Sequence, residues 1–198
     1  MADSGVSFDS PPPAACWQHR GVRSGFEVAY FASGRPGWHV EGTTTGLQDD
    51  DIWVVSYQLE LEPNWSTRRA RVTTRTRVGS TERLFEADGA GHWAIDGTGA
   101  DHLDGCLDVD LEASALTNAL PVHRLALAVG QTASSPAAYV RLPTAAVERL
   151  DQLYTRVDDD EVRQRYDYEA PAFDFKCRLV YDRAGLVLDY PGIAVRAR

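Results

Sequence analysis

The sequence predicts an all-β fold: a single antiparallel β-barrel or strongly curved half-barrel with at most one short helix. Three observations carry that expectation. Apolar residues recur with period two rather than 3.6 over most of the chain. Asp-Gly punctuation, at Asp88-Gly89, Asp96-Gly97 and Asp104-Gly105, separates the alternating segments. About a dozen such segments would also leave aggregation-prone edges unless the sheet closes on itself or stacks.

The elements follow in order. Residues 1–15 are small, polar and proline-rich, and read as a disordered tail ahead of one domain over 16–198. Residues 26–32 are the first strand candidate. Residues 53–61 are the clearest, with Trp53, Val55, Tyr57, Leu59 and Leu61 alternating against Ser56, Gln58 and Glu60. Glu62, Pro63 and Asn64 break that run, and residues 68–78 alternate again, so the two read as an antiparallel hairpin. Further strands are expected at 82–86, 92–95, 107–111, 123–129, 137–142, 173–181, 186–190 and 193–196. Residues 143–157 fit both periods: Val147, Leu150, Tyr154 and Val157 have helical spacing, while Leu153, Thr155 and Val157 alternate. A helix and an irregular strand both stay open there.

Composition narrows the function. A net charge of -9 argues against nucleic acid or an anionic membrane as the main partner. The longest apolar run, residues 125–129, is far short of the roughly 20 residues of a spanning helix. The N-terminal stretch has no basic n-region and no apolar h-region, so the cytoplasm is the expected compartment. Cys16, Cys106 and Cys177 form no CxxC pair and read as free thiols. No cofactor or metal is expected, since neither a phosphate-binding glycine loop nor a spaced His/Cys set occurs.

The residues with chemistry to offer cluster in 102–125. On a strand, Asp108, Asp110 and Glu112 share one face, where carboxylates can orient sugar hydroxyls or do acid/base work. A water-facing strand is the plainer reading and the one favoured. Asn118 reads as a turn residue. His123 and Arg124 are expected on opposite faces of the next strand. His123 is a possible general base, though no GxSxG nucleophile accompanies it. Arg69, Arg71, Arg75 and Arg77 form a ladder of like charge, expected to face water beside acidic cross-strand neighbours. The tryptophans and tyrosines read as core or as a cavity lining.

Several pieces occur together along the chain: Glu27 after Gly25, Tyr57 ahead of Trp65-Ser66-Thr67-Arg68, Trp93-Ala94-Ile95-Asp96-Gly97, and Leu103-Asp104-Gly105-Cys106-Leu107-Asp108-Val109-Asp110-Leu111. Leu116-Thr117-Asn118-Ala119-Leu120-Pro121, then Gln152, Tyr154, Tyr166 and Tyr168, and Gly185-Leu186-Val187 to Asp189-Tyr190-Pro191 continue the series. With these the chain resembles a bacterial glycolipid-binding family over nearly its whole length. The resemblance implies a barrel-like all-β fold, similar to periplasmic lipoprotein carriers, and an amphiphilic, glycolipid-like partner. The chain departs from the family pattern at Ser114-Ala115, where Thr-Pro is usual, and at His123, which replaces the first of two adjacent arginines.

The expected function is therefore binding of an amphiphile in an apolar, aromatic-lined barrel cavity with a polar mouth. Its expected ligand-binding residues are Trp65, Arg68, Asp108, Asp110, Asn118, Arg124, Tyr154 and Tyr166. One alternative is an enzyme acting on a sugar-like substrate through Asp108 or Asp110 and His123. Another is an interaction scaffold built on the arginine strand.

Overall fold

A computed structural model describes residues 8–34, 37–160 and 162–197. The first half of the chain gives β1 (Ala14–His19), β2 (Phe26–Ser33), β3 (Trp38–Gln48), β4 (Asp51–Leu61), β5 (Thr67–Thr76), β6 (Gly79–Ala87), β7 (Trp93–Ile95), β8 (Thr98–Gly99) and β9 (Asp108–Leu111). A 3-10 turn at Leu116–Asn118 leads into the short helix α1 (Ala119–Leu125). Then come β10 (Thr132–Ser134), β11 (Ala137–Val140), β12 (Val147–Leu150), β13 (Leu153–Asp160), β14 (Arg163–Ala170), β15 (Phe175–Tyr181), β16 (Val187–Tyr190) and β17 (Ala194–Arg196).

Fourteen strands make one sheet, ordered β10-β13-β14-β15-β16-β17-β1-β2-β3-β4-β5-β6-β7-β8, and β12-β11-β9 make a second. The large sheet is antiparallel throughout its register, whereas β9 and β11 run parallel. All-β character and the single short helix agree with the sequence. The barrel does not: the large sheet neither closes nor curls strongly, and runs open from β10 to β8 among the described residues. Two features explain the difference. The edge strands span only three and two residues, and such short edges offer little template for aggregation without closure. The space a barrel would leave hollow is also full. Every residue of β9 and β11 is buried, and Trp17, Tyr57, Tyr154, Tyr166 and Tyr181 fill in from the large sheet.

Local departures have local causes. Residues 123–129, expected as a strand, begin as α1, which starts at Ala119 and buries Ala119, Leu120 and Val122. Pro121 sits in its first turn, where a missing N–H costs little. Ala126, in the left-handed region at φ 43°, ends it. Residues 143–157 resolve into β12 and β13, broken at Asp151 and Gln152. Of the expected tail, residues 1–7 lie outside the described residues. Residues 14 and 15 already belong to β1, and the Asp9 amide donates to the Arg183 carbonyl.

Strand β3 carried no apolar alternation because its inner positions are small. Gly42 faces Tyr57 and Gly46 faces Trp53 across β4. A Cβ at either glycine would lie about 2.1 Å from the facing ring, so only glycine lets these aromatics lie across the strand. The arginine ladder faces outward as expected, with Arg69 between Glu60 and Glu86 and Arg71 against Glu82.

Candidate functional site

Antiparallel succession puts the turns at 20–25, 49–50, 77–78, 171–174 and 191–193 at one end of the large sheet, and those at 62–66 and 182–186 at the other. Most of the eight residues expected to bind ligand are spent elsewhere than in a cavity. Trp65 is buried near the 62–66 end, with φ 69°. Its indole stacks on the His123 imidazole at 3.6 Å with the planes 3° apart, and Phe8 packs against the same imidazole at 4.3 Å. His123 Nε2 donates to the Ala184 carbonyl at 2.9 Å, and burial pushes the imidazole pKa down to about 4. Arg68 is exposed at the bulge where the β4–β5 register shifts.

Asp108 and Arg124 saturate one another. Arg124 Nε donates to Oδ1 at 3.0 Å and Nη2 to Oδ2 at 2.6 Å, a bidentate pair, and Ser135 Oγ donates to Oδ2 at 3.1 Å. The Asp108 side chain is 1% exposed. The water-facing carboxylates expected of a half-buried strand are thus wrong for β9, which lies inside the molecule. The Tyr154 hydroxyl donates to Asn118 Oδ1 at 3.1 Å, and Tyr166 accepts from the buried Arg156 guanidinium at 3.3 Å. Both tyrosines are core. Asp108, Asp110 and His123 share no partner and form no catalytic cluster, which overturns the enzyme reading. With no barrel there is no barrel cavity, and the carrier reading in that form is overturned as well.

Asp110 and Asn118 alone of the eight reach an open cleft of about 270 Å³ at the 171–174 end. One wall is polar. Asp110 Oδ1 accepts from Thr117 Oγ1 at 2.8 Å and Oδ2 from Gln152 Nε2 at 2.7 Å, yet burial dominates and pushes its pKa up to about 6. Arg23, nine-tenths buried, donates from Nη1 to the Glu112 carbonyl at 3.3 Å and lies 3.7 Å from its carboxylate. The other wall is aromatic. Tyr168, Phe175 and Tyr190 form a triad with centroids about 6 Å apart. Tyr139 and Phe173 meet at 5.4 Å, with the Arg141 guanidinium within 6 Å of both rings.

A buried carboxylate fixes the floor. Glu27, wholly buried on β2, accepts from Tyr57 Oη at 2.7 Å, from Ser114 Oγ, and from the Ala115 amide at 2.7 Å. These donors tie the loop after β9 to the large sheet, so Ser114, which lines the cleft, is held in place. Burial still raises the Glu27 pKa. Glu112 belongs to the carboxylate face that the sequence singles out but not to the eight expected binding residues, and Arg23, Tyr139, Arg141 and Phe173 were missed. Arg23 and Phe173 stand in turns marked by Gly21–Gly25 and Pro171, Glu112 and Arg141 just past the ends of β9 and β11, and Tyr139 within β11.

Among the described residues no group of three His, Cys, Asp or Glu is placed to hold a metal, and no helix is long and apolar enough to cross a membrane. A family model described as "Putative glycolipid-binding" matches residues 14–196, a description of binding rather than catalysis. No curated protein matches the chain. A crystal structure of a DUF1089 family protein from Pseudomonas aeruginosa is similar, at 29% identity over 100% of this chain and 97% of that one, with a TM-score of 0.75. A β-barrel-like protein of the DUF1849 domain from Brucella abortus is similar at 11% identity over 96% of each chain, with a TM-score of 0.55. At that identity the likeness concerns the fold alone.

Proposed function

The chain belongs to this glycolipid-binding family, and from that membership we propose that it binds one amphiphile in the cleft at the 171–174 end. The observation that carries the reading is the division of the cleft into two walls. Asp110, Ser114, Asn118, Arg23 and Glu112 offer donors and acceptors suited to a hydroxyl-rich head, and Tyr139, Phe173, Phe175 and Tyr190 offer faces for a sugar ring or an alkyl chain. Small-molecule sites usually enclose about 300–1,000 Å³. The 270 Å³ here suits a head group and the start of one chain, and the rest of the tail runs outside. Arg23 is paired with Glu112 and Arg141 with Glu148, and Asp110 adds a carboxylate, so a neutral head suits the cleft better than a phosphate.

Calorimetric titration tests this. Octyl glucoside below its micellar concentration is expected to bind, glucose alone to bind far more weakly, and Tyr139→Ala to weaken octyl glucoside binding about tenfold, the worth of one aromatic contact. Absence of octyl glucoside binding, or binding indifferent to Tyr139→Ala, defeats the reading.

A further inference from the structure

The cleft end carries a feature that the cleft does not explain. Of the ten large hydrophobic side chains exposed among the described residues, six lie there outside the cleft, grouped around three neighbouring turns. Leu47 pairs with Ile52 across β3 and β4. Ser24 bridges to Leu47 and brings Val22 alongside. Phe26 and Val54 flank Thr45 from either side, through the Phe26 amide bond to Thr45 Oγ1 and the Thr45–Val54 pairing. Val78, at the β5–β6 tip, is 98% exposed, and it lines with Ile52 and Pro143 a hollow on the same rim. A single exposed valine needs no explanation, but a band running over three neighbouring turns marks an interaction surface.

Charge identifies the partner. The whole chain carries -9. At this end exposed Arg20, Arg75 and Arg77 stand against Asp49, Asp50, Asp51 and Asp174, and Arg141 is paired with Glu148. The rim is therefore close to neutral, with both signs interleaved among apolar turn tips. We propose that this band rests on the surface of a zwitterionic lipid bilayer, with Val22, Leu47, Ile52 and Val78 entering the head-group layer. Apolar side chains on a lipid interface gain by burial, and phosphate and choline answer both signs of charge. The band adjoins the cleft mouth through the loop at 141–145, which contributes Arg141 to one hollow and Pro143 to the other. A second copy of the chain seated here would cover that mouth, whereas a bilayer would feed it. This choice of partner over a second copy rests on the amphiphile reading of the cleft.

The test is co-sedimentation of the full chain with phosphatidylcholine vesicles. The protein is expected to pellet, and Leu47→Thr with Ile52→Thr, Val22→Ser and Val78→Ser to lower the partition roughly ten- to hundredfold. Val129→Ser with Val162→Ser is expected to change nothing. Quenching of tryptophan fluorescence in the unaltered protein by brominated phosphatidylcholine reads the same docking through Trp53, without any variant. The fourfold variant is expected to keep octyl glucoside binding, which separates the two readings: lost glucoside binding with retained pelleting defeats the cleft alone. The bilayer proposal is overturned by failure to pellet, or by pelleting only with phosphatidylglycerol and only at low salt. A dimer in sedimentation equilibrium that the fourfold variant dissolves overturns it too.

Discussion

The two ends of the large sheet are made of the same kinds of side chain and use them differently. Near the 62–66 end, Trp65, His123 and Phe8 stack, and in the interior between the ends Arg124, Asp108 and Ser135 satisfy one another. At the 171–174 end, Arg23, Asp110 and Glu112 meet Tyr139 and Phe173 but leave a gap between them. Aromatic rings beside charged groups are a signature of both packing and recognition. Both sets are bonded internally, and what separates them is that the second leaves open space between its walls.

That contrast is sharpest under substitution. Replacing Arg124 by Met leaves Asp108 as an unpaired buried charge, and a loss of about 3–5 kcal/mol is expected in urea unfolding. The surviving folded protein should still bind octyl glucoside, because neither residue lines the cleft.

Acid reaches the packed end next. The His123 pKa is about 4 in the folded chain, against about 6.5 unfolded. The unfolded chain therefore takes up the proton first, and the contribution of neutral His123 is full above pH 6.5. It is lost as pH falls toward 4, by about 3 kcal/mol at most. Unfolding followed between pH 7 and 4 should show that slope together with a similar one from His19, whose pKa burial also pushes down to about 4, and His123→Gln should remove about half of it. Glu27 and Asp110 work in the opposite sense. Their pKa values are raised in the fold, so their ionisation costs stability as pH rises, and acid relieves that cost.

The cleft end should answer in affinity instead of stability. Phe173 is 41% exposed, so Phe173→Ala should cost under about 1 kcal/mol in unfolding, yet weaken octyl glucoside binding about tenfold in titration. Equal losses in both measurements would make Phe173 ordinary packing and erase the distinction between the ends. The smallest effect concerns Asp110. Its carboxylate protonates near pH 6 and then exchanges one acceptor for a donor. Affinity is expected to fall a few-fold from pH 7 to pH 5, and Asp110→Asn should remove that dependence.

Sequence pattern revealed the strands whose inner face is large and apolar. Trp53 to Leu61 on β4 is the plainest case. It hid β3, where Gly42, Thr44 and Gly46 face inward, and β14, where Gln164 alternates inward with Tyr166 and Tyr168. Burial of β9 was invisible for a different reason. Alternating Asp, Val and Leu is what a half-wet strand looks like, and only the tertiary partners Arg124, Thr117 and Gln152 make buried carboxylates tolerable there. The candidate site was half legible. Asp110 and Asn118 stand inside recognisable segments, while Arg23, Arg141 and Phe173 come from turns far apart in sequence, and period-two patterning carries no information about where such turns converge. The barrel expectation chose closure over stacking, and short edge strands with a second, buried sheet remove the need for closure.

A crystal structure of the chain grown with octyl glucoside measures the central claim directly. The glucose ring is expected against Asp110, Asn118 and Arg23, with the first methylenes between Tyr139, Phe173 and Tyr190. An ordered glucoside bound at another place, with only solvent in the cleft, would contradict the account.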